Sequence, residues 1–353
     1  MTRKKPLIIA GPCSAESELQ VMSVAQELVA NSSVDMFRAG VWKPRTRPNS
    51  FEGLGEKALP WLAQIKKQFD LPVMIEVASP KHVELALHHG IDCFWIGART
   101  TVSPFAVQEI ADALAGSATQ VFVKNPIHPE IDLWVGAIER VTRSNVKSVS
   151  AIHRGFSSFR KSAYRNIPLW EIPIELQRRF PDLDIICDPS HIGGNQKLVF
   201  EISQKAIDLG LSGLMIEVHP NPSKALSDPQ QQITPNELIQ LLNSLHYKSK
   251  TFSDAFFVNQ LEELRSKIDK IDEDLVHILK SRMDLVEMMG AYKRDNDVTI
   301  FQLERWNEIL QTRTELASHL GLDETYVREI FEKIHGESIK TQIALSAKTT
   351  SKE

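Results

Sequence analysis

The sequence predicts an α/β chain: a (β/α)8 barrel followed by a smaller all-α helical domain. Two observations carry this. From residue 7 to about residue 245, eight short apolar runs alternate with helical patterns, as in a parallel sheet covered on both faces. From Val258 to about Leu345 no strand-like run occurs, charge rises, and apolar residues repeat at heptad spacing. A doubly wound open sheet is the alternative for the first part, but its usual Gly-x-Gly-x-x-Gly after the first strand is absent.

The eight runs, in order, are "LIIAG" from Leu7, "MFRAG" from Met36, "VMIEV" from Val73, "CFWIG" from Cys93, "QVFVKN" from Gln120, "VSAIHRG" from Val149, "DIICDP" from Asp184 and "LMIEVHP" from Leu214. Helix starts agree with the count: Ser103–Pro104 and Thr234–Pro235 each read as an N-cap followed by proline in the first turn. In the C-terminal part Leu261, Leu264, Ile268, Ile271, Leu275 and Ile278 form an apolar seam, and two further helical patterns cover Leu303–His319 and Asp323–Leu345. The boundaries expected are a barrel at 1–245, a linker at 246–256, a helical domain at 257–345 and a tail at 346–353.

At 353 residues the length suggests two domains, or one large barrel with an appendage. The formal charge of −4 argues against a dedicated nucleic-acid binder. Three scattered cysteines, Cys13, Cys93 and Cys187, are no disulfide framework and point to a reducing compartment. The N-terminus "MTRKKPLIIAGPCS" begins like a secretory signal, but its apolar run is too short. No stretch approaches the roughly 20 apolar residues of a membrane span. A cytoplasmic protein without nucleic-acid or membrane partners is expected.

In such barrels chemistry lies at the C-terminal ends of the strands. Those ends carry Cys13, Arg38, Glu76, Arg99, Lys124, Arg154, Asp188 with His191, and Glu217 with His219. After the second strand, "VWKPRTRPN" crowds Lys43, Arg45 and Arg47 between Pro44 and Pro48, which stiffen the loop. A single charge at a strand end is usually a solvated loop residue, whereas this convergence describes a pocket for a small polyanion. Cys13, His191, Glu217 and Asp228 supply a thiolate, an imidazole and two carboxylates, a mixture suited to Mn, Fe, Co or Zn. Cys13 taken alone reads equally as a buried core thiol, the reading favoured for Cys93 and Cys187.

The ordered set "GPCS", "KPRT", "GAR", "DPSH" and "SDPQQ" resembles the motifs of the 3-deoxy-D-arabino-heptulosonate 7-phosphate (DAHP) synthases, in the microbial branch related to the octulosonate 8-phosphate synthases. The resemblance runs across residues 7–245. It implies condensation of phosphoenolpyruvate with erythrose 4-phosphate, assisted by a divalent metal. On that likeness Arg99 and Arg154 hold the phosphoenolpyruvate phosphate, and Arg38, Lys43 and Lys124 surround its carboxylate. Arg45 and Thr46 hold the sugar phosphate, Asp188 lies beside substrate, and Glu76 and His219 handle protons or support the ligands. Two departures stand out. "VKNPIHPE" after Lys124 differs from the glycine-containing version expected there, and no N-terminal regulatory domain of the kind found in some relatives is expected.

In the helical part, the heptad seam meets Arg282 where an apolar residue is due. It reads either as a register-setting polar residue or as part of an anion site. Lys293 lies about 20° from it around the helix and about 16 Å along it, so the pair can flank a small dianion. Arg265, about 25 Å from Arg282, can join such a site only in a second chain, which predicts an intertwined homodimer. "LEELRSKIDKIDEDLVHILKSRMDLV" and "SIKTQIAL" resemble the all-α chorismate mutases. That resemblance implies rearrangement of chorismate to prephenate, with Arg265 from a partner, Arg282, Lys293, Arg305 and Gln342 as site residues. Acidic residues common near the substrate hydroxyl are replaced by Gln302 and Trp306. The two likenesses together imply one chain joining the first step of the shikimate pathway to the branch toward Phe and Tyr, and the fusion suggests feedback on the barrel by prephenate or chorismate bound to the helical domain. Two rivals stay open: an octulosonate 8-phosphate-type synthase, and a helical domain that dimerises and senses ligand without turnover.

Overall fold

A computed structural model describes residues 5–31, 34–43, 50–159, 162–247 and 255–347. The chain divides into two compact units, 1–250 and 251–353. In the first, eight parallel strands close into a barrel in chain order: β1 (Leu7–Gly11), β2 (Met36–Arg38), β3 (Val73–Val77), β4 (Cys93–Ile96), β5 (Gln120–Lys124), β6 (Ser148–His153), β7 (Ile185–Cys187) and β8 (Gly213–Glu217), with β8 pairing back onto β1.

The alternation of side chains along a strand sorts each run into two faces. Ile9, Met36, Met74, Cys93, Trp95, Phe122, Ile152, Ile186 and Met215 form one buried cluster inside the barrel. Their neighbours, among them Ile8, Phe37, Ile75, Phe94, Val121 and Leu214, pack outward against the helices. Two residues beyond the inward set come Gly11, Arg38, Glu76, Lys124, Arg154, Asp188 and Glu217. A step of two keeps the same face, so these residues occupy the layer above an apolar plug. The surrounding helices start where the sequence predicts: Ser103 accepts from the Ala106 amide, and Thr234 forms a capping box with Glu237.

The second unit consists of the helices Ala255–Asp295, Leu303–His319 and Glu324–Ala347. The first starts three residues before the expected Val258 and the third one residue after the expected Asp323, within the usual uncertainty of helix ends. Residues 248–254, which include most of the expected linker, lie outside the described residues. No helix among the described residues is long and apolar enough to cross a membrane.

Candidate active site

The charged layer of the barrel rests on the indole of Trp95. The Arg38 guanidinium carbon lies 4.7 Å and the Lys124 ammonium 5.7 Å from its ring centroid, within cation–π range. Both cations are buried and both meet carboxylates: Arg38 stands 3.1 Å from Glu217 Oε1, and Lys124 donates to Asp188 Oδ2 at 2.7 Å. Burial pushes the Asp188 and Glu217 carboxyls up. His191 and Lys124 on the first, and His191 and Arg38 on the second, outweigh that and hold both below the ordinary carboxylate range. A buried, charged layer of this kind is expensive to desolvate and adds little stability, so its placement points to function.

Each motif has a local physical reason. In "DPSH", Asp188 caps the short helix Pro189–Gly193 by accepting from the His191 amide at 3.1 Å, and Pro189 sits in its first turn. The Asp188 carboxylate also meets His191 Nδ1 at 2.9–3.0 Å, and Ser190 Oγ accepts from the Glu217 amide at 2.9 Å. In the loop after β8, Gln231 Nε2 donates to Glu217 Oε2 at 2.6 Å while Arg165 donates to both Gln231 Oε1 and Asp228 Oδ1, at 2.7 and 3.0 Å. Gln232 receives the Cys13 amide at 3.0 Å. In "GAR", Gly97 is required by close approach, since a Cβ there would stand 2.0 Å from Glu76 Oε1.

The four expected metal ligands come together in pairs. Cys13 Sγ lies 3.4 Å from Asp228 Oδ2, and His191 Nδ1 lies 3.9 Å from Glu217 Oε1. Among the described residues, no group of three or more His, Cys, Asp or Glu is arranged to hold a metal ion. Lys43 donates to Cys13 Sγ at 2.9 Å. Burial first, and Glu217 next, push the Cys13 thiol up to about 12, against the opposing pull of Lys43. The donor set still fits a divalent transition ion. Glu217 Oε1 is buried without a hydrogen bond, and His191 turns Nδ1 to a carboxylate, which leaves Nε2 for a ligand role as in histidine–metal sites generally.

Of the remaining barrel residues, Arg154 is grouped with Arg99 and Arg165. Burial lowers its guanidinium to about 10, with Arg165 and Arg99 repelling it against the opposing pull of Asp188. Arg99 itself is exposed on the turn Ala98–Thr101. His219 Nε2 lies 3.5 Å from Glu16, and its Nδ1 accepts from the Asn221 amide at 3.0 Å. Arg45 and Thr46 lie outside the described residues. Cys93 lies inside the barrel and Cys187 packs outward among the core residues, both buried.

In the helical unit, Arg282 donates to Ser338 Oγ at 2.7 Å, Lys293 donates to the Ile300 carbonyl at 2.6 Å, and Gln342 Nε2 donates to the Ser338 carbonyl at 3.3 Å. Lys293, Ser338 and Gln342 are buried. Arg265 and Arg305 are not gathered with them: each is exposed and pairs with a glutamate one turn on or back, Glu262 and Glu308. Trp306 stacks on His335, ring centroids 3.9 Å apart at 11°. Burial, then Arg282 and Lys293, lower the His335 imidazole, which places that ring beside the two cations.

Sequence reasoning missed Trp95, Arg165, Gln231 and His335. The alternation of β4 was a usable signal for Trp95. His335, Ser338 and Gln342 follow i, i+3, i+7 spacing, one stripe of a helix, which marks His335 in retrospect. Nothing local distinguished Arg165.

Comparison with known proteins agrees with the fold. Residues 2–253 match the DAHP synthetase I family, and residues 264–343 match the family described as chorismate mutase type II. A phospho-2-dehydro-3-deoxyheptonate aldolase of Thermotoga maritima is 34% identical over 256 residues, covering 71% of this chain and 71% of its own length. A 2-dehydro-3-deoxyphosphooctonate aldolase of Bradyrhizobium diazoefficiens is 26% identical, covering 67% of this chain and 87% of its own. The crystal structure of the Thermotoga maritima DAHP synthase superposes with a TM-score of 0.60 at 31% identity, covering 67% of each chain. The chain belongs to the DAHP synthetase I family, and its barrel is joined in sequence to a chorismate mutase type II domain.

Proposed function

We propose that the barrel condenses phosphoenolpyruvate with erythrose 4-phosphate and one water. C3 of the enol phosphate bonds to the aldehyde carbon, whose oxygen takes a proton, water adds its oxygen at C2, and inorganic phosphate leaves from C2. The supporting observation is the buried cationic layer on Trp95 beside Cys13, His191, Glu217 and Asp228. Arg154 and Arg99 hold the phosphate, because guanidinium forks grip it in a fixed orientation. Arg38, Lys43 and Lys124 surround the carboxylate, and Asp188 keeps Lys124 and His191 in place. A divalent ion held by Cys13, His191, Glu217 and Asp228 would polarise the aldehyde carbonyl. Arg45 and Thr46 take the sugar phosphate. Holding both reactants face to face is worth about 7–11 kcal/mol in favourable cases.

The helical domain rearranges chorismate to prephenate, a reaction that needs no acid, base or metal. Arg282 and a partner's Arg265 grip the dianion, Arg305 completes the charge at its rim, and Lys293 and Gln342 serve the ether oxygen. One preorganised donor of that kind contributes about 3–4 kcal/mol. The support for a homodimer is the exposed seam: Leu264, Ile268, Ile271, Leu275 and Ile278 are each more than half exposed in a single chain. Prephenate on the helical domain acts back on the barrel, and both activities operate in the cytoplasm.

Assaying phosphoenolpyruvate with erythrose 4-phosphate and with arabinose 5-phosphate, before and after chelation, tests the reading. Condensation of the four-carbon sugar, abolished by chelation while mutase turnover persists, is the expected result. Preference for the five-carbon sugar would move the chain to the octulosonate branch. Prephenate should inhibit the wild type and not Arg282→Ala. Equal inhibition of both would remove the helical domain from the feedback.

A further inference from the structure

Arg154 is held in place by two asparagines that no motif marked. Asn125 follows the last residue of β5 and is fully buried. Its Oδ1 accepts from the Arg154 amide at 2.7 Å, and its Nδ2 donates to the carbonyls of Gly155 and Pro126, both at 2.8 Å. Asn166, 5% exposed on the segment after β6, accepts from Arg154 Nη1 at 2.8 Å through Oδ1 and donates to the His191 carbonyl at 2.6 Å through Nδ2. Its amide donates to the Ile192 carbonyl at 3.1 Å. Thus one asparagine staples the backbone of Arg154 to β5, and the other ties its guanidinium to the segment that carries His191.

Asparagine suits both places because one planar amide offers a donor and an acceptor. Aspartate at 125 would turn a second acceptor toward two carbonyl oxygens. The packing leaves little slack: a Cβ on Gly155, which sits at φ +76°, would stand 2.7 Å from the Asn166 carbonyl oxygen. An arginine held at its backbone and at one terminal nitrogen loses its freedom before the substrate arrives, and keeps other N–H groups for a phosphate.

We propose that Asn125 and Asn166 are positioning residues that fix the Arg154 guanidinium in register with His191, so that the phosphate of phosphoenolpyruvate is aligned with the aldehyde site. The inference rests on the reading that Arg154 holds that phosphate. It also explains "VKNP": the departure from the glycine-containing loop installs a clamp at Asn125.

The test is steady-state kinetics of the full chain with both substrates varied, alongside thermal melting. Asn166→Ala and Asn125→Ala should raise KM for phosphoenolpyruvate on the order of 10-fold, the size of a lost hydrogen bond to a charged group, and leave KM for erythrose 4-phosphate within about 2-fold. Asn166→Asp keeps an acceptor for Arg154 but turns a second acceptor toward the His191 carbonyl, so it should not restore the wild-type KM, and full recovery would overturn the register with His191. Should Asn125→Ala fail to fold, the Asn166 pair decides alone. Unchanged KM for phosphoenolpyruvate in Asn166→Ala overturns the inference, as does an equal rise for both substrates. Arg154→Ala separates the two levels. If it raises that KM and Asn166→Ala does not, only the positioning role fails. If Arg154→Ala leaves it unchanged, the phosphate assignment fails with it.

Discussion

The barrel and the helical unit both carry the cations expected to bind a small anion, but they shelter them differently. In the barrel, Arg38 and Lys124 are 1% and 4% exposed and arrive from separate strands. A closed sheet surrounds its own lumen, so one chain suffices to desolvate and pair them. In the helical unit, the side chains of Arg265 and Arg305 remain about 60% exposed, each paired with a glutamate on its own helix. The 41-residue helix Ala255–Asp295 presents more apolar surface than two shorter helices cover. Enclosure, not residue type, separates the two units: the barrel buries its cations within one chain, while Arg265 and Arg305 stay exposed in a single copy.

The largest test of this contrast is to remove one cation from each unit. Arg38→Ala leaves Glu217 buried without its cation and should cost about 3–5 kcal/mol of barrel stability, read by denaturant unfolding. Arg265→Ala should cost less than about 1 kcal/mol and still lower mutase turnover. Equal stability losses would break the comparison.

Next in size is the seam. Ile271→Glu places a charge on a residue that is 65% exposed in one chain. We predict that it leaves the helical content intact by circular dichroism, halves the mass seen by light scattering, and lowers mutase turnover on the order of 100-fold, about 2.7 kcal/mol. An unchanged mass would exclude the seam as the interface.

A smaller effect concerns acid. His153 is buried between Trp134, Phe156 and Trp170, and burial first, then Arg154, lower it to about 3. Its unfolded value is about 6.5, so the unfolded chain binds the extra proton. The stability is therefore fully present above pH 6.5 and is lost as pH falls from there toward 3. At pH 5 the loss is about 2 kcal/mol. His153→Leu should lose that much less between pH 7 and pH 5 in urea unfolding of the barrel. Parallel pH dependence in the variant and the wild type would rule His153 out.

How far the molecule was legible depends on the range of each interaction. Strand period two and heptad spacing are local, so the barrel, the helical unit and the inward placement of Arg38, Lys124 and Glu217 could be read along the chain. "DPSH" was legible for a similar reason, since its cap, proline and histidine act within one turn. Arg165 and Asn166 were not, because they lie on an irregular segment where no period fixes a direction. Trp95 looked like any aromatic residue of a buried strand. The pairing of the four expected metal ligands was also beyond reach, since it depends on which cation each anion meets.

By itself, then, the sequence determined which residue types face the barrel's interior and which stripe of each helix is apolar, because side-chain direction follows from backbone repeat. Only the tertiary structure decided partnership: that Cys13 meets Asp228 across 215 residues, that Arg38 takes Glu217 and Lys124 takes Asp188, and that Asn166 joins Arg154 to His191. Those choices arise when β8 closes on β1 and distant loops compete for the same buried charges, a competition that neighbouring residues along the chain do not encode.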